Sequence, residues 1–410
     1  MKLGKVLIIS AILVLTLITS VYAAEPEITA TSSVVIDCID GKILYSKNMK
    51  EKLYPASLTN VLTAILVVEN CNMQDNVTIS QNAVNSVQTG YLTANIAPGE
   101  VLTVEQLLNL ILISSYNDVA NALAEHVAGS KEQFVEMMNQ KAKEIGCKNS
   151  NFVNNTGEHD SEHYSTAYDM ALIGKYAMKY DVIKEIIKKT KYTLPVNVAF
   201  NKPERTYYTT NEMLLTGSGN YYKYGKGLKT AFTTPAGYCL MAYAEKKDIP
   251  LVAVTMKSTT SDSRYEDAKK VLEYAYDNNV LRTIATEGTT MQTLNIKKGT
   301  QDTKKLNAVV EKNIVGVVKA ENENSNIEAK VTINEGLKAP VEKGTVIGEA
   351  VYEIEGKEYK TNLVAETNVE KSHTGLIFLL IFIGLIILLG GLKARAIYNR
   401  KKVLKKIRGK

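Results

Sequence analysis

The sequence predicts a mixed α/β (α+β) domain with helices packed on an antiparallel sheet, followed by a small all-β domain and a C-terminal transmembrane helix. Three observations predict it. Two uncharged helical runs, around Leu58–Val68 and Leu107–Ile113, precede two apolar strand runs, Gly237–Ala244 and Leu251–Met256, joined by a turn too short for anything but an antiparallel hairpin. Beyond about residue 285 the texture changes to short alternating runs separated by Asn, Pro and Gly turns. Finally, Gly375–Leu392 carries no charge over 18 residues, enough to span about 27 Å as a helix. With 410 residues there is length for two domains with cores of their own.

The elements follow in order. Ser33–Asp37 and Lys42–Tyr45 flank Asp40-Gly41, a hairpin signal. Next, Leu58, Val61, Leu62 and Ile65 recur at helical spacing, and so many neighbours are apolar that this helix belongs inside a core. Residues 72–100 read as irregular connections with short strands. Thr103 and Gln106 form a capping box for a second buried helix pointing at Ser115-Tyr116-Asn117. A helix from about Asp118 to Ala128 stops at Gly129, and another, opened by Ser130 and Gln133, ends at Gly146. A polar loop covers 147–165, a helix runs from about Ala167 to Lys179, and the chain then turns sheet-rich before a closing helix from Ser263 to Tyr276.

The two ends indicate where the protein works. Residues 1–24 read as an export signal: Lys2 and Lys5, an apolar run, then Val21-Tyr22-Ala23 as a small-residue cleavage site. Residues 25–284 form the large domain, 285–370 the β domain, 375–392 the transmembrane helix and 393–410 a basic tail. With nine Lys and Arg and no acid, that tail is expected in the cytoplasm, holding the exported body outside the cell membrane. A sortase-type sorting signal is the alternative, but Lys371-Ser372-His373-Thr374-Gly375 lacks its Leu-Pro. The formal charge of +6 comes from the tail and signal; the body itself is mildly acidic, which gives no reason to expect nucleic acid. Four scattered cysteines suit core positions better than a disulfide framework.

Three short stretches at element boundaries carry the chemistry. Ser57 follows Pro55-Ala56 at the start of the first buried helix, where unpaired N–H groups and the helix dipole favour negative charge. Asn60, three residues on, shares its face and is expected to meet the Ser57 hydroxyl. Ser115-Tyr116-Asn117 and Lys229-Thr230-Ala231 complete the set. Ser57 taken alone reads first as a helix cap. His159, Asp160 and His163 lie close together but lack a further ligand cluster, so neither a metal nor another cofactor is expected.

In their order, Ser57-x-x-Asn60, Ser115-Tyr116-Asn117 and Lys229-Thr230-Ala231 correspond to the S-x-x-K, S-D-N and K-T-G signature of penicillin-binding proteins and class A β-lactamases. The chain resembles the serine D-alanyl-D-alanine carboxypeptidases, the low-molecular-mass penicillin-binding proteins of peptidase S11 type. The likeness extends through Leu53–Thr59, Asn117–His126, His163–Asp169 and Gly227–Thr230. It implies a β-lactamase/transpeptidase-like fold and acyl transfer on the D-Ala-D-Ala ends of peptidoglycan stem peptides, with β-lactams as further ligands. Ser57 then matches the nucleophile, and its N–H with one after Lys229-Thr230 the oxyanion hole. Lys229 and Thr230 match the groups holding the substrate carboxylate, Ser115 the proton relay and Asn117 a contact to the substrate amide.

Three positions depart from the pattern. Asn60 stands where the family has lysine, and an amide cannot act as general base. Ala231 replaces the motif glycine, adding a methyl where substrate passes closely. Glu158 stands where an apolar residue is expected. Two functions therefore compete: a carboxypeptidase whose activity is impaired by Asn60, or a catalytically inactive binder of peptidoglycan or β-lactams. A third reading makes the β domain and anchor the working parts. A class A β-lactamase fits less well, because that family's usual plan lacks the β domain and anchor.

Overall fold

Residues 24–408 are described by the computed structural model, and they divide into two units, one running through Arg282 with the returning segment Gly316–Asn324, the other holding the rest. All but the last residue of the expected export signal lies outside the described residues.

In the first unit β1 (Ser32–Asp37) and β2 (Ile43–Lys47) form the expected hairpin. A short 3₁₀ turn, Ala56–Thr59, leads into α1 (Asn60–Asn70). The polar stretch that follows holds β3 (Asn76–Thr78), α2 (Gln81–Asn85) and β4 (Val101–Thr103). Then come α3 (Val104–Ser114), α4 (Asn117–Ala128), α5 (Lys131–Ile145), α6 (Ala167–Ala177) and α7 (Asp181–Ile187). The Thr103–Gln106 capping box forms on both sides, and Gly129 and Gly146 close α4 and α5 in left-handed conformations. A hairpin of β5 (Lys191–Leu194) and β6 (Arg205–Tyr208) precedes β7 (Gly225–Thr233), β8 (Gly237–Lys246) and β9 (Ile249–Ser258), and α8 (Ser263–Asn278) follows. Lys247-Asp248, both at positive φ, make the two-residue turn between β8 and β9.

The strands assemble as β2-β1-β9-β8-β7, all antiparallel. Alternation along them splits the core. Val34, Ile36, Met241, Val252 and Val254 face the cluster that includes Leu62, Ile65, Leu107 and Ile111, whereas Val35, Leu240, Ala242 and Ala253 face Tyr265 and Leu272 of α8. With helices on both faces, the central strands β8 and β9 are apolar along most of their length, which is why they read as continuous runs rather than a two-residue alternation.

The second unit carries a five-stranded sheet. The chain crosses the division in β10 (Asn279–Ala285) and again in β13 (Ile314–Lys319); β11 (Thr290–Asn295), β12 (Lys305–Val310), β14 (Ala329–Ile333), β15 (Val346–Ile354) and β16 (Lys357–Ala365) make the sheet, in the order β11-β12-β16-β15-β14. The strand β13 is not part of it and pairs with β10 instead. The chain ends in α9 (Thr374–Arg408), long and apolar enough to cross a membrane, with Phe378 and Ile387 among many exposed apolar side chains. The helix does not stop at Leu392; it continues through the basic residues. All four cysteines are unpaired.

Candidate active site

Ser57 does not open an α-helix directly. It sits in the 3₁₀ turn after Ala56, whose φ of +46° places a non-glycine residue in the left-handed region, a local cost of about 1–2 kcal/mol. What holds it there is the loop from Asn154. Gly157, at φ +85°, passes so close that a methyl added to it would stand 1.9 Å from the Ala56 carbonyl oxygen and 2.8 Å from the Ser57 nitrogen. The loop is folded by Asn154, whose Oδ1 accepts from the Gly157 N–H at 2.7 Å. His163 fixes the same turn from behind. The Val153 N–H donates to its Nδ1 (3.2 Å), so the proton resides on Nε2, which donates to Thr59 Oγ1 at 2.9 Å. Burial holds the imidazole neutral, pushing its pKa down to about 4.

Ser57 lines a cavity of about 700 Å³ together with Ser115, Asn117, Thr230, Ala231 and Arg264. Ser115 caps the C-terminus of α3 in the left-handed conformation, and Asn117 opens α4, so the Ser-Tyr-Asn stretch is the corner between two helices. Thr230 and Ala231 come from β7, against which the Ser57 turn packs. Lys229 lies behind this wall. It is 1% exposed, and its Nζ is hydrogen-bonded to Ser115 Oγ and donates to the Thr230 carbonyl at 3.2 Å. Burial first, and the nearby Arg264 guanidinium second, push its pKa down to about 7. A buried amine that is substantially neutral near pH 7 can accept a proton.

Asn60 is wholly buried and is not on the cavity wall. Its backbone N–H reaches the carbonyls of Ser57 and Leu58, but neither side-chain polar atom has a partner. The expected contact between its amide and the Ser57 hydroxyl is therefore absent. Asn60 is shut into the interior, whereas Ser57 lines the cavity, so the two side chains do not meet. An unmet buried donor and acceptor cost on the order of 1–3 kcal/mol each, so this position is occupied by a side chain its surroundings do not serve.

Two further groups join the site in three dimensions. Arg264, 9% exposed at the start of α8, brings its guanidinium to the cavity, donates to the Tyr265 hydroxyl at 3.0 Å and has no carboxylate partner among the described residues. Nothing in the sequence ties it to residues 57 or 229; only the sheet does. Glu158, 8% exposed, accepts from Asn117 Nδ2 at 2.9 Å. The arrangement offers a nucleophile, a buried amine on a neighbouring hydroxyl, and a cation suited to an anionic ligand end, which together serve acyl transfer on a carboxylate-terminated substrate.

Comparison with known proteins gives the same picture. The family model for Peptidase S11, D-alanyl-D-alanine carboxypeptidase, matches residues 19–260, and that for the C-terminal domain of penicillin-binding protein 5 matches residues 281–371. The D-alanyl-D-alanine carboxypeptidase DacF of Bacillus subtilis is 32% identical over 333 residues, covering 80% of this chain and 82% of its own. DacC of Escherichia coli is 32% identical over 367 residues, covering 85% and 88%. Among solved structures, penicillin-binding protein 5 from Haemophilus influenzae superposes with a TM-score of 0.68 at 28% identity, covering 85% of this chain and all of its own. A peptidoglycan synthesis regulatory factor from Streptococcus pneumoniae (penicillin-binding protein 3) gives 0.69 at 27% identity, covering 84% and 100%. The chain belongs to the peptidase S11 family of D-alanyl-D-alanine carboxypeptidases.

Proposed function

We propose that this protein is a membrane-anchored serine carboxypeptidase that removes the terminal D-alanine from peptidoglycan stem peptides, and that β-lactams acylate the same serine. The observation that carries the reading is the convergence of Ser57, Ser115 and Thr230 on one cavity, with the Lys229 amine hydrogen-bonded to Ser115. Ser57 Oγ attacks the penultimate carbonyl, D-alanine leaves with a proton, and water then releases the shortened peptide from the ester. Thr230 and Arg264 meet the terminal carboxylate, and Asn117 contacts the peptide amide.

Asn60 cannot take the Ser57 proton. Lys229 acting through Ser115 takes that role, at a rate below that of an enzyme with lysine at position 60. Ala231 narrows the strand edge along which the substrate lies. In this reading the body is exported, α9 spans the membrane and the basic tail remains inside. The inactive-binder alternative is not favoured, since the relatives are named as carboxypeptidases.

The test is covalent labelling of the full-length protein in detergent with a fluorescent penicillin, followed by D-alanine release from a D-Ala-D-Ala pentapeptide. Label that depends on Ser57, together with release of D-alanine, supports the proposal. Label without release would point to a binder, and absence of both would overturn it.

A further inference from the structure

Glu158 is a buried acid that the scheme above does not use. It makes no ion pair among the described residues, and the hydrogen bond from Asn117 is the single one its carboxylate receives from them. A buried carboxylate without a cation is costly, and a purely structural role at this place would be served by an apolar side chain. Its surroundings give it another task. The Thr63 hydroxyl of α1 donates to the Asn155 carbonyl at 2.8 Å, and Gly157 rests on the Ala56–Ser57 peptide. The loop therefore runs along the stretch of chain that carries Asn60, from Thr63 at one end to Ser57 at the other, and Glu158 follows immediately.

The carboxylate also lines a second cavity of about 420 Å³, whose wall includes Asn121, Asn154, Asn155 and Thr156. Asn117 lies on the wall of the Ser57 cavity and holds Glu158 by its amide. The Asn117 Nδ2 donates to Glu158, and Oδ1 is left for the ligand. One hydrogen bond thus separates the carboxylate from the Ser57 cavity, beside a space of mixed polar and apolar lining with room for water.

We propose that Glu158 is the base for the hydrolytic half of the reaction, supplying on the loop the proton acceptor that the first motif has lost at Asn60. The inference rests on the carboxypeptidase reading and deepens it. In the step, Glu158 takes a proton from water as the water oxygen bonds to the acyl carbon of the Ser57 ester. The tetrahedral species then collapses, the bond from carbon to Ser57 Oγ breaks, and Oγ receives the proton from the Glu158 acid. The peptide leaves with a new carboxyl group. Acylation proceeds without Glu158, and release of the acyl group depends on it.

The experiment compares full-length wild type with Glu158→Gln and Glu158→Leu, following acyl-enzyme by intact mass and D-alanine by rapid quench with a D-Ala-D-Ala pentapeptide. Penicillin labelling of Ser57 serves as the separate measure of folding and nucleophile activation. Both variants are expected to label with penicillin and to release a burst of about one D-alanine per enzyme. They then hold the acyl-enzyme roughly 10²-fold longer than wild type, the size of a lost general base. An acyl-enzyme lifetime unchanged in both variants would overturn the proposal and leave the carboxypeptidase reading intact. Loss of penicillin labelling in Glu158→Gln would overturn it in favour of a role in positioning Asn117. Absence of any acyl-enzyme in wild type, with penicillin or peptide, would overturn both readings.

Discussion

Two buried positions lie behind the cleft, and they have fared differently. On one side Asn60 is fully buried with neither amide atom paired; on the other Lys229 is equally buried, but its amine is bonded to Ser115 and to the Thr230 carbonyl. Burial is the same and chemistry is not. An amide in that environment costs stability and accepts no proton, whereas an amine there is brought down to about 7, into the range where it works as a base. In the proposed scheme the Ser57 proton is moved from the Lys229 side alone, because the Asn60 amide accepts none.

Substitutions at the nucleophile and at these two positions have graded consequences. Ser57→Ala removes the nucleophile both sides serve, and covalent penicillin labelling read on a gel and by intact mass is expected to vanish altogether. Lys229→Ala leaves no amine behind the cleft, and the acylation rate is expected to fall by ~10²–10⁴-fold in stopped-flow labelling. Asn60→Lys places an amine at the buried amide's position and is expected to raise acylation by roughly 10²-fold, while removing the two unpaired polar atoms of the amide. If that variant folds, keeps its label and is no faster, the first motif has lost more than its base.

The smallest effect concerns the support of the turn rather than its chemistry. His163 has a folded pKa of about 4, below the 6.5 of the free side chain. As pH falls between those values the unfolded chain takes up the proton first, so stability declines through that window by roughly 3 kcal/mol at its acid end. Denaturant titrations at about pH 7 and pH 4 are expected to show this loss, and to show less of it in His163→Gln, which carries no titrating ring.

Much of the fold was readable because its signals are local. The Thr103–Gln106 capping box, the Gly129 and Gly146 stops and the apolar runs of β8 and β9 each depend on residues within a few positions of one another. The order of the three motifs likewise pointed to Ser57, Ser115 and Lys229. What the sequence hid depends on contacts between distant segments. The left-handed Ala56 lies against Gly157, about a hundred positions on, and Asn60 is buried without a partner rather than on the Ser57 hydroxyl. Arg264 reaches the cavity through the packing of α8 on the sheet, and Glu158 meets Asn117 across 41 positions of chain. The extension of α9 beyond Leu392 was hidden for another reason: charge marks the limit of an apolar segment, not of a helix.

The most direct test is the rate of Ser57 acylation by a fluorescent penicillin from about pH 5.5 to 9, in wild type and in Lys229→Arg. A neutral Lys229 is the working form, so the wild-type rate is expected to rise about tenfold per unit below its inflection and to level off above about pH 7. The arginine variant, whose guanidinium does not deprotonate, is expected to be slow and flat throughout. A wild-type rate without that inflection, or an arginine variant that reproduces it, would contradict the assignment of the surviving base to Lys229.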